Sequence, residues 1–332
     1  MKIAVVILNW NGKKLLETFL PSIIAYSKEA TIYVADNASS DDSIAFVENN
    51  YATVKIIKNK ENGGYAKGYN DALKGLKEDI FCLINSDIEV TEQWLTPIIQ
   101  TFKNEENTAI IQPKILDYKN KSYFEYAGAA GGFIDKFGYP FCRGRIFNTI
   151  EKDLGQYNNN TKILWATGAC FFIRRDVFNS LNGFDESFFA HMEEIDLCWR
   201  AYNQGLIAKY IWKSTVYHVG GATLNATNPK KTYLNFRNSL ATLTKNASGN
   251  LFILILVRLT LDGIAALKFL FELKFRHILA ILKAHISYYS RLPRLIKQRK
   301  KLNQKNKYYT TKSIVWSYFI DNKKLYLKLK SF

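Results

Sequence analysis

Cysteine is scarce in this chain of 332 residues: four are present, scattered and without a Cys-x-x-Cys pair. Because each lies among apolar or aromatic neighbours, we expect buried free thiols, no disulfide framework and a reducing compartment. The chain also lacks an internal repeat, a Pro- or Ser-rich linker, and any apolar run of the ~18–20 residues that a membrane-spanning helix needs. Neither Gly-x-Gly-x-x-Gly nor Gly-x-x-x-x-Gly-Lys-Ser/Thr occurs, which excludes two common nucleotide-binding loops.

Positive charge is concentrated at the C-terminal end. Residues 1–229 carry a net charge of −2, whereas residues 230–332 hold 22 Lys and Arg against 3 Asp and Glu, a net charge of +19. Apolar residues make up 48% of the chain, enough for a sizeable core. A basic tail behind a nearly neutral globule indicates an anionic partner, either lipid or nucleic acid.

Strands and helices alternate over the first 90 residues. The apolar run at 3–8 predicts a strand buried on both faces rather than a signal peptide, and a helical pattern follows at 13–26. Further strands are predicted at 31–35, 54–58 and 80–84, with helices beginning at a cap on Ser40 or Asp41 and spanning 65–76. This alternation predicts an α/β fold on a mainly parallel sheet with right-handed crossovers.

Polar clusters follow three of these strands. Asp36-Asn37, Asn62-Gly63-Gly64 and Asn85-Ser86-Asp87 each come directly after a predicted strand end. Parallel sheets bind their ligands outside the carboxyl ends of their strands. The sequence therefore predicts one site to which all three clusters contribute.

Each cluster allows a functional and a structural interpretation. The Asp87 carboxylate could hold Mg²⁺ or Mn²⁺ against a diphosphate, since hard cations prefer oxygen ligands, and the sheet context favours this over a polar turn. Asp36-Asn37 could bind a nucleobase or ribose, or could cap a helix. Gly63, Gly64 and Lys67 could face a phosphate at a helix start, or could form a tight turn.

Three carboxylates fall within four residues at Glu193, Glu194 and Asp196. Like charges so close together raise at least one pKa, which suits a general base. The alternative is a solvated helix start, but the neighbours are apolar and favour a functional role: Phe188, Phe189, Ile195, Leu197 and Trp199. His218 stands alone, and its local sequence favours a structural role.

The C-terminal end has a helical pattern. Apolar groups at 251–257, 264–271 and 278–282 are interrupted by charges, which predicts amphipathic helices lying in a membrane interface. Residues 291–307 are polybasic and suit an anionic leaflet. Because the basic tail follows an apolar helical region rather than forming a basic fold with aromatic residues on a sheet, the pattern favours lipid over nucleic acid.

Taken in order, eight motifs resemble those of family 2 glycosyltransferases with the GT-A fold, particularly rhamnosyltransferase-like bacterial members. The resemblance covers about residues 1–245 and rests on Val6–Gly12, Val34–Ser39, Asn62–Asn70, Leu83–Asp87, Gly183–Glu186, Glu193–Arg200, His218–Gly221, and Tyr233 with Arg237-Asn238. It implies a Rossmann-like α/β domain whose residues 1–110 bind the nucleotide sugar and whose residues 111–245 bind the acceptor and carry catalysis. Residues 246–332 would form a basic, helical, membrane-associating tail.

The resemblance also implies roles for matching residues. Asp87 would hold Mg²⁺ or Mn²⁺, with His218 nearby. Glu194 would be the catalytic base at a position where Asp is usual, and Glu193 and Asp196 remain alternatives. Arg200 would steady the carboxylates or contact phosphate. The residues expected at the nucleotide sugar are Asn9, Asn11, Asp36, Asn37, Gly63, Gly64, Lys67, Asn85, Ser86 and Arg200.

The implied reaction is an inverting sugar transfer, in which a carboxylate deprotonates the acceptor hydroxyl and a metal stabilises the leaving diphosphate. The donor would be a dTDP- or UDP-sugar, with rhamnose as one candidate. The acceptor would be a glycan, or a lipid-linked glycan in cell-surface polysaccharide biosynthesis, reached from the cytoplasmic face of the membrane. Because Glu replaces Asp at position 194, a catalytically inactive relative that acts as a binding subunit is the alternative.

Overall fold

The computed structural model describes residues 1–220 and 228–329, so Gly221 of the His218–Gly221 motif lies outside the described residues. The described strands are β1 (Ile3–Asn9), β2 (Ala30–Asp36), β3 (Lys55–Lys58), β4 (Ile80–Asn85), β5 (Ile88–Val90), β6 (Thr108–Asp117), β7 (Gly132–Ile134), β8 (Pro140–Cys142), β9 (Arg145–Ile146), β10 (Thr149–Ile150), β11 (Thr161–Ile163), β12 (Cys170–Arg174) and β13 (Ile207–His218). The helices are α1 (Lys13–Tyr26), α2 (Ser43–Asn50), α3 (Gly64–Leu73), α4 (Thr96–Asn104), α5 (Arg175–Ser180), α6 (Glu193–Asn203), α7 (Pro229–Asn246), α8 (Leu251–Phe271), α9 (Phe275–Arg299) and α10 (Ile314–Phe319).

A large mixed sheet lies at the centre of the described structure. Its strand order is β11-β13-β6-β12-β4-β1-β2-β3, with β5 beside β13. Strands β3, β2, β1 and β4 form a parallel block, and β13 runs parallel to β6. Strand β12 is antiparallel to both β4 and β6 and joins the two parts. The α/β class predicted from the sequence is confirmed.

Strand β1 is apolar throughout because helices cover both of its faces. Ile3, Val5 and Ile7 face a core that includes the buried side of α1. Ala4 and Val6 face the opposite core, which includes the buried side of α3. Successive strand residues point to opposite faces, so a strand between two helical layers needs an unbroken apolar run.

Some predicted boundaries differ from the structure. Helix α1 has the predicted range, but α2 begins at Ser43, so the predicted cap on Ser40 or Asp41 is wrong. The Asp41 carboxylate instead accepts hydrogen bonds from the Lys13 N–H (3.1 Å) and the Ser43 N–H (3.2 Å), which ties the starts of α1 and α2 together. Helix α3 ends at Leu73, just before Gly75.

Residues 117–162, which the sequence left unassigned, contain a second, smaller sheet with the order β10-β9-β8-β7. Its strands are two or three residues long. All four cysteines are buried and free, as expected.

The C-terminal helices pack onto the rest of the chain. Helix α9 lies along α7 and α8. Asp262 of α8 is fully buried and accepts hydrogen bonds from Arg258 (3.0 Å) and Tyr139 (3.1 Å), while His285 of α9 lies 3.1 Å away. None of the helices within residues 1–220 and 228–329 has the length and apolar character needed to cross a membrane.

Candidate active site

The strand ends bring the predicted polar clusters together at one edge of the sheet. Asn9 at the end of β1 pairs in register with Asp36 at the end of β2, and Leu8 pairs with Asn85 at the end of β4. The Asn9 amide donates to Asp36 (3.4 Å) and to Ser43 (2.9 Å). Asn11 lies exposed at the rim, where its side-chain oxygen accepts from the Ser40 N–H at 2.7 Å.

Asn37 links this edge to the glycine-containing turn before α3. Its amide donates to the Asn62 side chain (2.9 Å) and to the Gly64 carbonyl (3.1 Å). Gly64 has φ +75°, and a Cβ there would clash with the carbonyl of Phe189. The glycine is therefore required where α3 meets the loop that precedes α6.

The backbone N–H groups of this turn already have partners. Those of Gly63 and Gly64 donate to the Glu61 carbonyl (3.0 Å) and the Asn62 side chain (3.0 Å). Lys67 pairs with Asp71 at 2.5 Å. For Gly63, Gly64 and Lys67 this geometry corresponds to the tight turn, the alternative to a phosphate site.

Asp87 and His218 are far apart in the sequence but meet at one point. Strand β5, directly after Asp87, pairs antiparallel with the end of β13, so Ile88 lies opposite His218. His218 Nε2 is 3.1 Å from Asp87 Oδ1 and 3.5 Å from the Asn85 amide. Both side chains of the Asp87–His218 pair are buried.

Glu125 completes this group and was missed by the sequence analysis. Its Oε1 lies 3.3 Å from His218 Nδ1, off the line that a hydrogen bond requires, and its Oε2 accepts from the Ala127 N–H at 2.6 Å. Burial alone would lower the pKa of His218, but the carboxylates of Asp87 and Glu125 raise it to about 10. Glu125 lies between β6 and β7, in the segment that the sequence left unassigned. No motif around it could have identified it.

Glu193 and Glu194 form the first turn of α6, and one carboxylate oxygen of each has no hydrogen-bond partner. The Oε2 atom of each is buried and unpaired. Burial and then the charge of Glu194 raise the pKa of Glu193 well above its usual value. Burial also raises the pKa of Glu194, although backbone N–H groups, including those of Ile195 and Gly168, act to lower it. Two neighbouring carboxyl groups with raised pKa values and one unpaired oxygen each are suited to proton transfer.

Asp196, by contrast, is saturated with donors. It accepts hydrogen bonds from Arg200 Nε (2.8 Å), Lys245 Nζ (2.9 Å) and the Asn246 amide (2.8 Å). Arg200 uses its remaining nitrogens on the carbonyls of Leu181 (2.6 Å) and Gly183 (2.8 Å). Of the two roles considered for Arg200, its contacts match the steadying of a carboxylate.

The segment 168–169 joins the carboxylates to the strand-end cluster. The Ala169 carbonyl accepts from the Asn85 N–H at 2.9 Å. The Gly168 carbonyl accepts from the Tyr65 hydroxyl at 2.8 Å, and the charges of Glu193 and Glu194 act on that hydroxyl. The structure therefore brings the predicted metal and base residues to one site.

Comparison with known proteins gives a family. The model of glycosyl transferase family 2 matches residues 4–181, which include Asp36 and Asp87 and end before Glu193 and His218. Two similar proteins share about a quarter of their residues with the chain. The N-acetylglucosaminyl-diphospho-decaprenol L-rhamnosyltransferase of Mycobacterium tuberculosis is 24% identical over 219 residues, covering 61% of this chain and 71% of the relative. The low-salt glycan biosynthesis hexosyltransferase Agl10 of Haloferax volcanii is 23% identical over 289 residues, covering 83% of this chain and 87% of the relative.

A solved structure agrees on the fold. The crystal structure of GalNAc-T7 with UDP, GalNAc and Mn²⁺ superposes with a TM-score of 0.59 at 15% identity, covering 74% of this chain and 48% of that one. The match thus spans less than half of that longer protein. At this identity the likeness concerns the fold alone, and it confirms the glycosyltransferase fold implied by the motifs.

Proposed function

Because the chain belongs to glycosyl transferase family 2, we propose that it transfers a sugar from a nucleotide diphosphate sugar to an acceptor hydroxyl, with inversion at the anomeric carbon. The observation that carries this proposal is that Glu193 and Glu194 each keep one buried carboxylate oxygen without a hydrogen-bond partner. They lie next to the segment that is bonded to Asn85. This proximity supports a base on one side of the reaction centre and a diphosphate-binding edge on the other.

Glu194 is the proposed base. Two neighbouring carboxyls cannot both ionise easily in a buried site, so one retains its proton. Glu193 is buried, whereas Glu194 is half-buried, and backbone N–H groups favour the charged form of Glu194. Glu194 therefore takes the proton of the acceptor hydroxyl as that oxygen attacks from the face opposite the diphosphate. Asp196 and Arg200, which are bonded to each other, act as positioning residues beneath it.

Asp87 and His218 fit a divalent cation. Together they offer a carboxylate oxygen and an imidazole nitrogen, both buried, and the nitrogen suits Mn²⁺ better than the harder Mg²⁺. In the described part of the chain no group of three His, Cys, Asp or Glu side chains could hold a metal by itself, so this proposal requires oxygens of the donor to complete the coordination. When bound, Mg²⁺ or Mn²⁺ would neutralise the charge that develops on the leaving diphosphate.

The donor is proposed to be a dTDP- or UDP-sugar. Asp36 and Asn9, buried at the strand ends and bonded to each other, would bind the nucleoside, with Asn11, Asn37 and Ser86 around them. The GalNAc-T7 structure contains UDP and Mn²⁺, and the mycobacterial relative is named as an L-rhamnosyltransferase. These names make rhamnose one candidate sugar. The mycobacterial name includes a diphospho-decaprenol and so also supports a lipid-linked glycan acceptor.

The C-terminal helices are proposed to rest on the anionic inner face of the cell membrane. One side of α8 and α9 is buried against the protein, as at Leu254, Ala280 and Tyr288. The other side exposes large apolar residues to solvent: Phe252, Leu256, Ile264, Leu267, Phe271, Leu273, Phe275, Leu279, Leu282 and Ile286. Such a face, together with the basic charge of the tail, suits a helix pair lying in the lipid interface.

A donor screen tests the enzyme proposal. Purified protein with Mg²⁺ or Mn²⁺ is incubated with UDP-, dTDP- and GDP-sugars, and release of the nucleoside diphosphate is measured beside Asp87→Ala and Glu194→Gln. We expect metal-dependent release from one donor that both substitutions abolish. If the wild type binds a nucleotide but releases none even with glycan acceptors supplied, the inactive relative acting as a binding subunit becomes the better description.

A further inference from the structure

The loop that leads into α6 is held in an unusual conformation. Within this entry loop, residues 185–192, Phe189, His191 and Met192 all have positive φ values, of 65°, 68° and 73°. Non-glycine residues rarely adopt such values, and they persist only where the surroundings impose them. Glu193 and Glu194 follow immediately, so the entry loop fixes where the proposed base begins.

Helix α7 holds the entry loop through hydrogen bonds from Asn238 and Arg237. The buried Asn238 amide donates to the carbonyls of Phe188 (3.0 Å), Ala190 (2.9 Å) and His191 (2.8 Å). The guanidinium of Arg237 donates to the carbonyl of Phe188 at 3.0 Å. These bonds go to backbone carbonyls of the strained segment itself.

Helix α9 holds the same loop, partly at a carbonyl that α7 also reaches, since Arg237 Nη2 donates to the Ser187 carbonyl at 3.1 Å. Arg291 Nη1 donates to the Ser187 carbonyl at 3.0 Å. Arg294 Nη2 and the Gln298 amide donate to the two oxygens of Asp185 at 3.2 Å and 3.1 Å. Positions 291, 294 and 298 share one helix face, which here is the face toward the entry loop.

The basic residues at the end of α9 fall into two groups, those that bond the entry loop and those that are exposed. The sequence assigned the whole polybasic stretch from 291 to anionic lipid, yet Arg291, Arg294 and Gln298 are engaged within the protein. Lys297, Lys300 and Lys301 are exposed. Lys245 of α7 extends the inner contact, because it bonds both Asp185 (3.0 Å) and Asp196 (2.9 Å) and so joins the entry loop to α6.

We propose that α9 belongs to the catalytic apparatus: Arg291, with Arg294 and Gln298, is a positioning residue that holds the entry loop and through it sets Glu194, while the outward lysines remain for lipid. This inference rests on the proposed glycosyl transfer. It goes beyond it in making the membrane-facing tail a structural part of the reaction centre. A base that is misplaced by about 1 Å can lose on the order of 100-fold in rate without any change in donor binding.

The test uses the full chain and the donor found in the screen. Arg291→Met removes the Arg291 bond to the Ser187 carbonyl and leaves the one from Arg237, and Arg291→Lys keeps a cation that can still donate to that carbonyl. Lys300→Met is the matched control, because it removes an exposed charge from the same helical region. For each variant we measure kcat, the donor KM, retention on phosphatidylglycerol-containing vesicles, and Tm as a check of folding.

We expect Arg291→Met to lower kcat about 10-fold or more with the donor KM within about twofold, and Arg291→Lys to recover part of that loss. Both Arg291 variants should be retained on vesicles at the wild-type level. The control Lys300→Met should have the wild-type kcat. Should Arg291→Met fail to fold, Gln298→Leu tests the same positioning role, and its kcat should fall about two- to tenfold.

An unchanged kcat in folded Arg291→Met, or a loss confined to KM or to vesicle retention, overturns the positioning role. Failure of the proposed function has a different signature. In that case Asp87→Ala would retain wild-type release of the nucleoside diphosphate, whatever the Arg291 variants do.

Discussion

Glu193 and Glu194 are adjacent in the chain but have different surroundings, and this difference predicts different kinetics. Glu194→Gln removes the proposed base and should lower kcat by about 10²- to 10⁴-fold with little change in the donor KM. Glu193→Gln replaces a carboxyl whose pKa is raised by burial with a neutral group of the same shape, so its kcat should fall far less. Steady-state release of nucleoside diphosphate measures both. A larger loss in Glu193→Gln would transfer the base role to Glu193.

Lys245 neutralises two buried carboxylates at once, Asp185 and Asp196. Lys245→Met leaves them with fewer partners, and we expect the free energy of unfolding at pH 7 to fall by about 3 kcal/mol, the lower end for a broken buried pair, since Arg200 and Asn246 remain on Asp196. The exposed Lys297→Met is the control and should change it by less than about 0.5 kcal/mol. Denaturant titration measures both.

The ion pair between Lys245 and Asp185 also predicts how stability changes with pH. Burial would raise the pKa of Asp185, but Lys245 and the hydrogen bonds around it lower it below its usual range. A depressed pKa contributes stability above the pKa of the unfolded chain, and this stability is lost as the pH falls through the lower folded value. The wild type should therefore lose stability below about pH 4, and Lys245→Met should show a shallower loss. A parallel pH dependence in the two proteins would contradict this assignment.

At the scale of elements, the sequence was informative where an element imposes a pattern. Strands β1 and β4 lie between two helical layers, so they had to be continuous apolar runs, and the polar residues at their ends marked the site. The pairing of β5 with β13 leaves no such pattern. The meeting of Asp87 with His218 was therefore implied only by family resemblance, and the third member, Glu125, was missed. Strands of two or three residues, as in β7–β10, are too short for any periodicity.

The junction between β7 and α10 predicts a second pH dependence, opposite in sign. The buried Asp135 follows β7 and accepts hydrogen bonds from the N–H groups of Phe137, Tyr139 and Ile314, each at 2.9 Å. Burial raises its pKa to about 7 despite those bonds. Because the folded state then binds the proton more tightly than the unfolded chain, stability should fall as the pH rises from about 4 to about 7, by up to about 4 kcal/mol.

Asp135→Asn tests this directly. The amide cannot ionise, so the decline between pH 4 and 7 should become shallower, with the raised pKa values of Glu193 and Glu194 still contributing to it. A constant cost should appear at every pH, because the amide nitrogen faces the Ile314 N–H. Denaturant titrations across that range give the slope for both proteins. A variant that keeps the wild-type slope would show that another group causes the decline.

At the scale of the whole molecule, charge and apolar exposure occur in the same region. The basic residues of the tail divide between an inner face that bonds the entry loop and outward lysines, and α8 and α9 expose their apolar side chains away from the protein. The sequence predicted the helices and their amphipathic character. It could not predict the inner contacts, because the carbonyls of the entry loop that accept them carry no side-chain signal.

The turn between α8 and α9 is where the membrane proposal is tested most sharply. Phe271 and Leu273 are 85% and 73% exposed, and Lys274 stands beside them. Burial of such a side chain in an apolar environment contributes about 1.5–3 kcal/mol. The double variant Phe271→Ser, Leu273→Ser should therefore bind anionic vesicles about 100-fold more weakly. The control Leu154→Ser, at a residue 78% exposed between β10 and β11, should bind as the wild type does. Binding of the wild type should also weaken with added salt, since the charged component is screened. Equal vesicle binding by the double variant and the Leu154 control would exclude this turn as the membrane contact and leave the charged residues as the only attachment.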